Sequence, residues 1–177
     1  MLSRGGLSEG RALCEESLAI STPGSGAHDI ALLNLAYVET VECRPAEAER
    51  LLREALESAL LRRDLLVVAF AAIAMAWPLA QQSRLRLSAH LLGAGLGFVH
   101  TAGAVTQWMD DASEAAVLNI LHRQLDAEHV DALLEAGRNL ALEELVRDAL
   151  SDMHQPDEPD DTGQRGPFQA GSATGDS

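Results

Sequence analysis

The sequence contains no lysine, few aromatic residues and only two cysteines. Aromatic side chains make up 3% of the 177 residues although 47% are hydrophobic, so the apolar content is mostly Ala, Leu, Val and Ile. That mixture favours closely packed helices over sheets. The length suits a single domain with its own core. We therefore predict one all-α domain.

The absence of lysine leaves Arg as the only strongly basic residue and shapes the charge balance. Thirteen Arg residues face 27 acidic residues, which gives a formal net charge of −14. An acidic surface of this kind repels phosphate backbones, so direct nucleic-acid binding by this chain is not expected. A phosphate-binding loop of the Gly-x-x-x-x-Gly-Lys type is excluded as well. The missing lysine, together with abundant Ala, Arg, Gly and Leu, suggests the codon bias of a GC-rich bacterial genome.

Cysteine and signal-sequence features indicate a cytoplasmic protein. Cys14 and Cys43 lie in separate segments, and we expect two buried, reduced thiols in preference to a disulfide. The N-terminus has no apolar core of the kind that secretory signals carry. Residues 65–80 are continuously apolar, but this run is shorter than the about 20 residues that span a bilayer, and it contains Pro78. We predict a helix buried on all sides and no membrane partner.

A repeated helix template occurs three times in the first hundred residues. The stretch "PAEAERLLREALESALLRRD" begins at Pro45, which predicts a helix start, and places apolar residues at i, i+3, i+4 and i+7. Its opposite face carries charge pairs at i, i+4, which predicts a solvated surface. The stretches "GLSEGRALCEESLAIS" and "RLRLSAHLLGAGLGFV" follow the same template. The alignment places small residues at two positions: Gly10, Ala48 and Ser88 at the first, and Ser17, Ala55 and Gly95 at the second.

Two further helices are predicted between these copies, with small residues such as Ala36 and Ala74 where backbones must approach. A helix pair repeated at a fixed interval is typical of an α-solenoid, and the small positions resemble those of tetratricopeptide repeats. The usual Gly-x-aromatic turn of those repeats is replaced by Gly5-Gly6-Leu7 and by Cys43-Arg44-Pro45. The peptide grooves of the best-known members therefore cannot be transferred to this chain.

The repeat ends after Gly103, and a C-terminal cap is predicted. We expect a helix over "DDASEAAVLNILHRQL", a shorter one at about 126–136, and a last one over "LEELVRDAL". Gly137 is predicted to adopt the left-handed conformation that ends helices, so that the last helix crosses and caps the solenoid end. Residues 1–152 would form the tetratricopeptide-like domain. Residues 153–177, rich in Pro, Gly, Asp and Ser, would form a disordered acidic tail.

Three stretches together resemble a known family. "RALCEESLAI", "LSAHLLGAG" and "DAEHVDALLEAGRNLALEELVRDAL" are similar to the C-terminal tetratricopeptide-like region of large ATP-binding bacterial transcriptional regulators of the LuxR-family and AfsR-like type. The resemblance covers most of residues 5–150. It implies signal transduction through binding a protein partner or a small effector. The family usually has Ser where this chain has Ala141, so the last helix should lack its N-cap unless Asn139 substitutes.

The sequence offers no constellation for catalysis, a metal or a cofactor. No HxxxH or CxxC spacing occurs, and adjacent carboxylates such as Glu143 and Glu144 diverge on a helix. We therefore expect a protein that is not an enzyme. Possible partner-binding residues are Trp77, Trp108 and Met109, the last two on a loop. The preferred interpretation of both Trp residues is that they anchor the core at inter-repeat joints.

The first predicted helix is the second member of a repeat pair, so one of its apolar faces should lack a partner. This pattern leaves three alternatives open: a fragment of a longer regulator, a truncated gene product, or a stand-alone adaptor that forms a homodimer through this helix.

Overall fold

The computed structural model describes residues 4–104 and 111–152, and the structural statements below concern these residues. Within them the chain is all-helical, as predicted, and forms eight helices. These are α1 (Arg4–Ile20), α2 (Gly26–Val41), α3 (Pro45–Arg62), α4 (Leu65–Gln81), α5 (Leu85–Thr101), α6 (Asp111–Gln124), α7 (Ala127–Arg138) and α8 (Leu142–Asp152).

Local sequence signals start several of these helices. Pro45 opens α3, as predicted. The Ser25 side chain accepts a hydrogen bond from the His28 amide at the start of α2, and Asp64 does the same for Val67 at the start of α4. The apolar run predicted to be a helix buried on all sides is α4. Most of its residues lie in the core, but one stripe is half-buried, so burial on all sides is wrong. No helix in the described ranges is long and apolar enough to cross a bilayer.

The joints after α2, α3, α4 and α5 recur at intervals of 20 residues and share one geometry. Each contains a residue with left-handed φ between 58° and 64°: Cys43, Arg63, Ser83 and Gly103. The amide of the next residue donates to the carbonyl five residues back at 2.9–3.1 Å, which is the Schellman pattern that ends helices. Because the joints are alike, α3, α4 and α5 each follow the preceding helix in the same way.

Small residues at the predicted repeat positions allow close packing in two of the three copies. Ala48 and Ala55 are fully buried, and the buried Ser88 hydroxyl donates to the Ala76 carbonyl at 2.7 Å. A Cβ at Gly95 would lie 2.9 Å from the Ala69 carbonyl oxygen, so glycine is required for that approach. The first copy differs: Gly10 is only half-buried and Ser17 is exposed, so the packing role predicted for them is wrong.

Gly137 does not have the left-handed conformation that the sequence suggests. It lies inside α7, and a Cβ there would meet the His90 carbonyl oxygen of α5 at 2.4 Å. A Cβ at Gly93 would meet the Leu134 carbonyl oxygen at 2.2 Å in the opposite direction. The two glycines therefore bring the backbones of α5 and α7 into direct contact. Gly137 serves helix packing and does not end the helix.

The last helix, predicted to cap the solenoid end, contacts three earlier helices. Helix α7 packs on α5 and α6 packs on α4, whereas α8 reaches back to contact α3, α4 and α5. Ala141 precedes the helix, and its carbonyl accepts from the Leu145 amide. Asn139 does not substitute as N-cap, because its side chain donates to the Glu135 carbonyl and carboxylate at the end of α7.

The cysteines are free, as predicted, but neither is fully buried. Cys14 is half-buried on α1, and Cys43 is exposed at the left-handed position between α2 and α3. Partial burial raises the pKa of the Cys14 thiol, an effect that the nearby Arg11 partly opposes. The proposed disordered tail, residues 153–177, lies outside the described residues.

Candidate interaction site

One stripe on α2 and one on α4 are half-buried, whereas most residues on the remaining faces of these helices are buried. On each helix the half-buried residues recur at i, i+4, i+7 and i+11, which places them on a single face. The two stripes match at an interval of 40 residues. We call the combined surface the aromatic face; its members are Ile30, Asn34, Tyr37 and Val41 of α2, and Phe70, Ala74, Trp77 and Gln81 of α4.

A direct ring contact joins the two stripes. The centroids of Tyr37 and Trp77 are 6.1 Å apart and their planes meet at 65°, an edge-to-face arrangement that aromatic quadrupoles favour. The Gln81 side-chain amide also donates to the Thr40 carbonyl at 3.2 Å, which ties the end of α4 to the end of α2. These contacts hold the two helices side by side, so equivalent residues of successive helix pairs become neighbours.

The aromatic face concentrates a residue type that the chain otherwise lacks. The sequence has two Trp, one Tyr and three Phe, and half of them lie here: Tyr37, Phe70 and Trp77. Half-buried aromatic side chains can be covered by a partner at little cost in conformational entropy, and Trp and Tyr are enriched where proteins bind one another. The face therefore has the composition of a binding surface.

The predicted partner-binding residues have different outcomes. Trp77 lies on the aromatic face, where its ring packs against Tyr37 of α2 while part of the side chain stays exposed. Trp108 and Met109 lie outside the described residues. Sequence reasoning missed Tyr37. The 40-residue offset that pairs Ala48 with Ser88 also pairs Tyr37 with Trp77, and that signal could have identified it.

Buried carboxylates also link successive helices. The Asp29 side chain is fully buried on α2 and accepts from Arg62 of α3 at 2.6 Å. Glu39, which is also buried, pairs with Arg11 of α1 and with Arg44 of the α2–α3 joint. Buried carboxylates require such partners because desolvation penalises an isolated charge. These ion pairs connect α2 to α1 and to α3.

Glu49 shows that the charged face of α3 is not simply solvated. Two of the i, i+4 charge pairs expected on this face form, Glu49–Arg53 at 3.4 Å and Arg50–Glu54 at 3.7 Å. Glu49, however, is buried and also accepts from Arg84 at 3.0 Å and from Gln82 at 2.8 Å, both at the α4–α5 joint. This carboxylate therefore bridges one helix pair to the next, which corrects the predicted solvated role.

A further polar chain crosses three helices. The Ser21 hydroxyl lies 2.9 Å from His28 Nδ1, and His28 Nε2 lies 3.6 Å from Glu54 Oε1. Ser21, which directly follows α1, also donates to the Leu18 carbonyl of that helix at 3.3 Å. The arrangement therefore connects the end of α1 with α2 and α3.

The described residues contain no group of three or more His, Cys, Asp or Glu that could hold a metal ion. Comparisons of the chain with protein-family models, with curated proteins and with solved structures find no match. The resemblance to bacterial transcriptional regulators therefore remains a prediction from the quoted stretches.

Proposed function

We propose that the chain is a non-catalytic helical-repeat interaction domain, an α-solenoid of tetratricopeptide-like pairs, that binds a protein partner or a small effector through the aromatic face. The observation that supports this proposal is that half of the chain's aromatic residues lie on one half-buried surface. Part of each of these side chains remains exposed. Their partial exposure supports a surface that a partner covers.

The solenoid assignment is supported by the 20-residue recurrence of the joints. When the same joint recurs, successive helices are rotated by the same amount. In such an array each helix pair contacts the next, as α2 contacts α4 here. The α5–α7 contact departs from this series, because α7 takes the place beside α5. The proposed array therefore extends from α1 to α5.

Recovery of bound proteins from the source bacterium tests the aromatic face. Asn34→Arg places a charge on this face, and Leu61→Arg is the matched control because Leu61 is 87% exposed on α3 and lies off the face. We expect co-purifying proteins to fall at least about tenfold with Asn34→Arg and to be unchanged with Leu61→Arg. Equal recovery with both variants, at equal melting temperature, would contradict the proposal.

The regulatory assignment is tested by the reading frame upstream of the Met1 codon. An in-frame continuation that encodes further helical repeats and a phosphate loop supports a region of an ATP-binding transcriptional regulator. A stop codon followed by a separate ribosome-binding site contradicts it and favours a stand-alone adaptor.

A second candidate function, self-association through α1, is favoured by the exposure of two large apolar residues. Leu13 is 58% exposed and Ile20 is 82% exposed, and their spacing of seven residues places them on one face of α1. Sedimentation analysis of Leu13→Glu tests it. A dimer that persists in this variant excludes α1 as the contact, and a dimer that is lost supports it.

A further inference from the structure

Ser21, His28 and Glu54 come from three parts of the chain and meet in the folded molecule. Ser21 directly follows α1, His28 lies in the first turn of α2, and Glu54 is on α3. The Ser21 hydroxyl oxygen is 2.9 Å from His28 Nδ1, and His28 Nε2 is 3.6 Å from Glu54 Oε1. A hydroxyl group beside a base that a third group orients is the arrangement that activates nucleophiles in proteins.

The Glu54 carboxylate favours one tautomer of His28. An ionised carboxylate can only accept hydrogen bonds, so it stabilises the ring with its proton on Nε2, the nitrogen that faces it. Nδ1 then has a free lone pair within reach of the Ser21 hydroxyl. The Leu18 carbonyl is a second acceptor for that hydroxyl, but at 3.3 Å it is the more distant of the two. The serine proton therefore faces a nitrogen that can take it.

The exposure of these groups suits a reactive serine. His28 is only 9% exposed, so the base is largely kept from bulk water. Ser21 is half-buried, and residues 22–24, which follow it, are exposed. A small molecule can therefore approach the Ser21 hydroxyl from the solvent while the base lies beneath it.

The start of α2 also provides donors for negative charge. Within the described part of the chain, the backbone amides of Gly26 and Ala27 make no hydrogen bond, whereas the His28 amide donates to the Ser25 cap. Free amides at a helix N-terminus stabilise an oxyanion. They belong to the same helical turn as His28, so one element positions both the base and these donors.

We propose that Ser21 is an acylation site: with His28 as the base, its hydroxyl accepts an acyl group from a small activated ester. The Ser21 Oγ forms a bond to the acyl carbon, and the bond from that carbon to the alkoxy oxygen of the donor breaks. The hydroxyl proton passes to His28 Nδ1 and then to the leaving alkoxide, which departs as the alcohol. The acyl group stays on Ser21, so the reaction is stoichiometric.

The acylated serine has no hydroxyl proton left to donate. Acylation would thereby break the Ser21–His28 hydrogen bond that connects the end of α1 with α2. The site is independent of the aromatic face, and a modification without turnover is compatible with the non-catalytic interaction domain proposed above.

Incubation of the full chain with p-nitrophenyl acetate tests the proposal, and peptide mass mapping identifies each acetylated residue. We expect acetylation at Ser21 and its loss in Ser21→Ala. Ser17 is the matched control, because it is exposed one turn earlier and its hydroxyl donates only to the Leu13 carbonyl. A wild-type chain that is acetylated only at Cys14 or Cys43, or at Ser17 as fast as at Ser21, overturns the proposal.

His28→Gln separates activation from packing, because glutamine keeps a hydrogen-bond acceptor in the side chain but cannot take a proton from Ser21. Acetylation of Ser21 should become slower by about a hundredfold. A folded His28→Gln chain that is acetylated at the wild-type rate contradicts the proposal. The melting temperature of each variant is measured alongside.

Glu54→Gln tests the positioning role of the carboxylate and keeps the proposal falsifiable if His28→Gln does not fold. Half of the Glu54 side chain is exposed, so this change leaves the core intact. It should slow acetylation of Ser21 at least about threefold at an unchanged melting temperature. Glu57→Gln, exposed on the same helix, is the control and should have no effect. Equal rates in the two variants would overturn the assignment of His28 as an oriented base.

Discussion

At the scale of single residues, two glycines determine how closely α5 and α7 approach. A Cβ at Gly93 or Gly137 would lie 2.2 or 2.4 Å from a backbone oxygen of the facing helix, and a backbone cannot move aside as a flexible side chain can. We expect Gly93→Ala and Gly137→Ala each to lower the free energy of unfolding by about 2 kcal/mol or more, measured by urea denaturation.

Two other glycines provide matched controls for that prediction. Gly97 is on the same helix as Gly93, but its added Cβ would have ordinary contacts at 3.5 Å, so Gly97→Ala should cost little. Gly10 lies inside α1 with open space around it, and Gly10→Ala should stabilise the protein by about 0.5–1 kcal/mol. If all four substitutions had the same sign and size, backbone proximity would not be the cause.

His90 links stability to pH at the α5–α7 contact. Burial lowers the pKa of its imidazole, and the charge of Arg86 lowers it further. The folded protein therefore binds this proton more weakly than the unfolded chain. Its contribution is fully present above about pH 6.5 and is lost as the pH falls towards the folded pKa.

The measurement is the free energy of unfolding between about pH 7.5 and pH 5. We expect His90→Gln to show a smaller decline over this range than the wild type. His100→Gln, on the exposed end of the same helix, should follow the wild type. Parallel curves for the wild type and His90→Gln would show that His90 does not contribute to the pH dependence.

Sequence reasoning succeeded for residues whose role follows from their own helix. The small size required at Ala48, Ala55, Ser88 and Gly95 could be predicted because helical periodicity identifies the packed face. The role of Gly137 could not, because a glycine near a helix end is equally consistent with a left-handed cap and with a close approach. Only the position of His90 on another helix decides between them.

At the scale of helices and joints, the recurring left-handed position is occupied by a non-glycine residue in three of the four cases. Ser83 has φ 62° and is exposed, so a glycine there would relieve the steric strain of the Cβ without loss of packing. We expect Ser83→Gly to raise the free energy of unfolding by about 0.5–1 kcal/mol, measured by thermal and urea unfolding.

Ser83→Ala is the control for this joint, since alanine keeps the Cβ and should bring no gain. If Ser83→Ala raised the free energy of unfolding by the same amount, the effect would come from loss of the hydroxyl group. The same test can be applied to Arg63, which has the equivalent conformation one joint earlier.

Helix starts were more predictable than helix neighbours. Pro45 and the apolar run of α4 identify their helices from local sequence alone. The aromatic face depends on contact between residues 40 positions apart, and single-helix periodicity carries no information about which helices become neighbours. For that reason Trp77 could be selected from the sequence while Tyr37 was missed.

At the scale of the whole molecule, the formal net charge of −14 opposes compaction. Repulsion among exposed carboxylates is screened by salt, whereas the buried Asp29–Arg62 pair is screened much less. We expect the melting temperature to rise by about 3 °C between about 20 mM and 300 mM NaCl.

Choline chloride at equal ionic strength is the control, because screening of this kind does not depend on the identity of the cation. A melting temperature that falls with added salt would instead mean that exposed ion pairs such as Arg147–Glu143 contribute more than the net repulsion removes.

The sequence alone determined that the described residues are all-helical, where α3 and α4 begin and which apolar face of α3 packs on the core, because helix caps, proline and apolar periodicity act within a few residues. Tertiary structure decided that Gly137 packs on α5, that Tyr37 meets Trp77, and that α8 returns to α3, α4 and α5. These features depend on the approach of segments distant in the chain, which is set by the shape of the packed surfaces and leaves no periodic signal in any one helix.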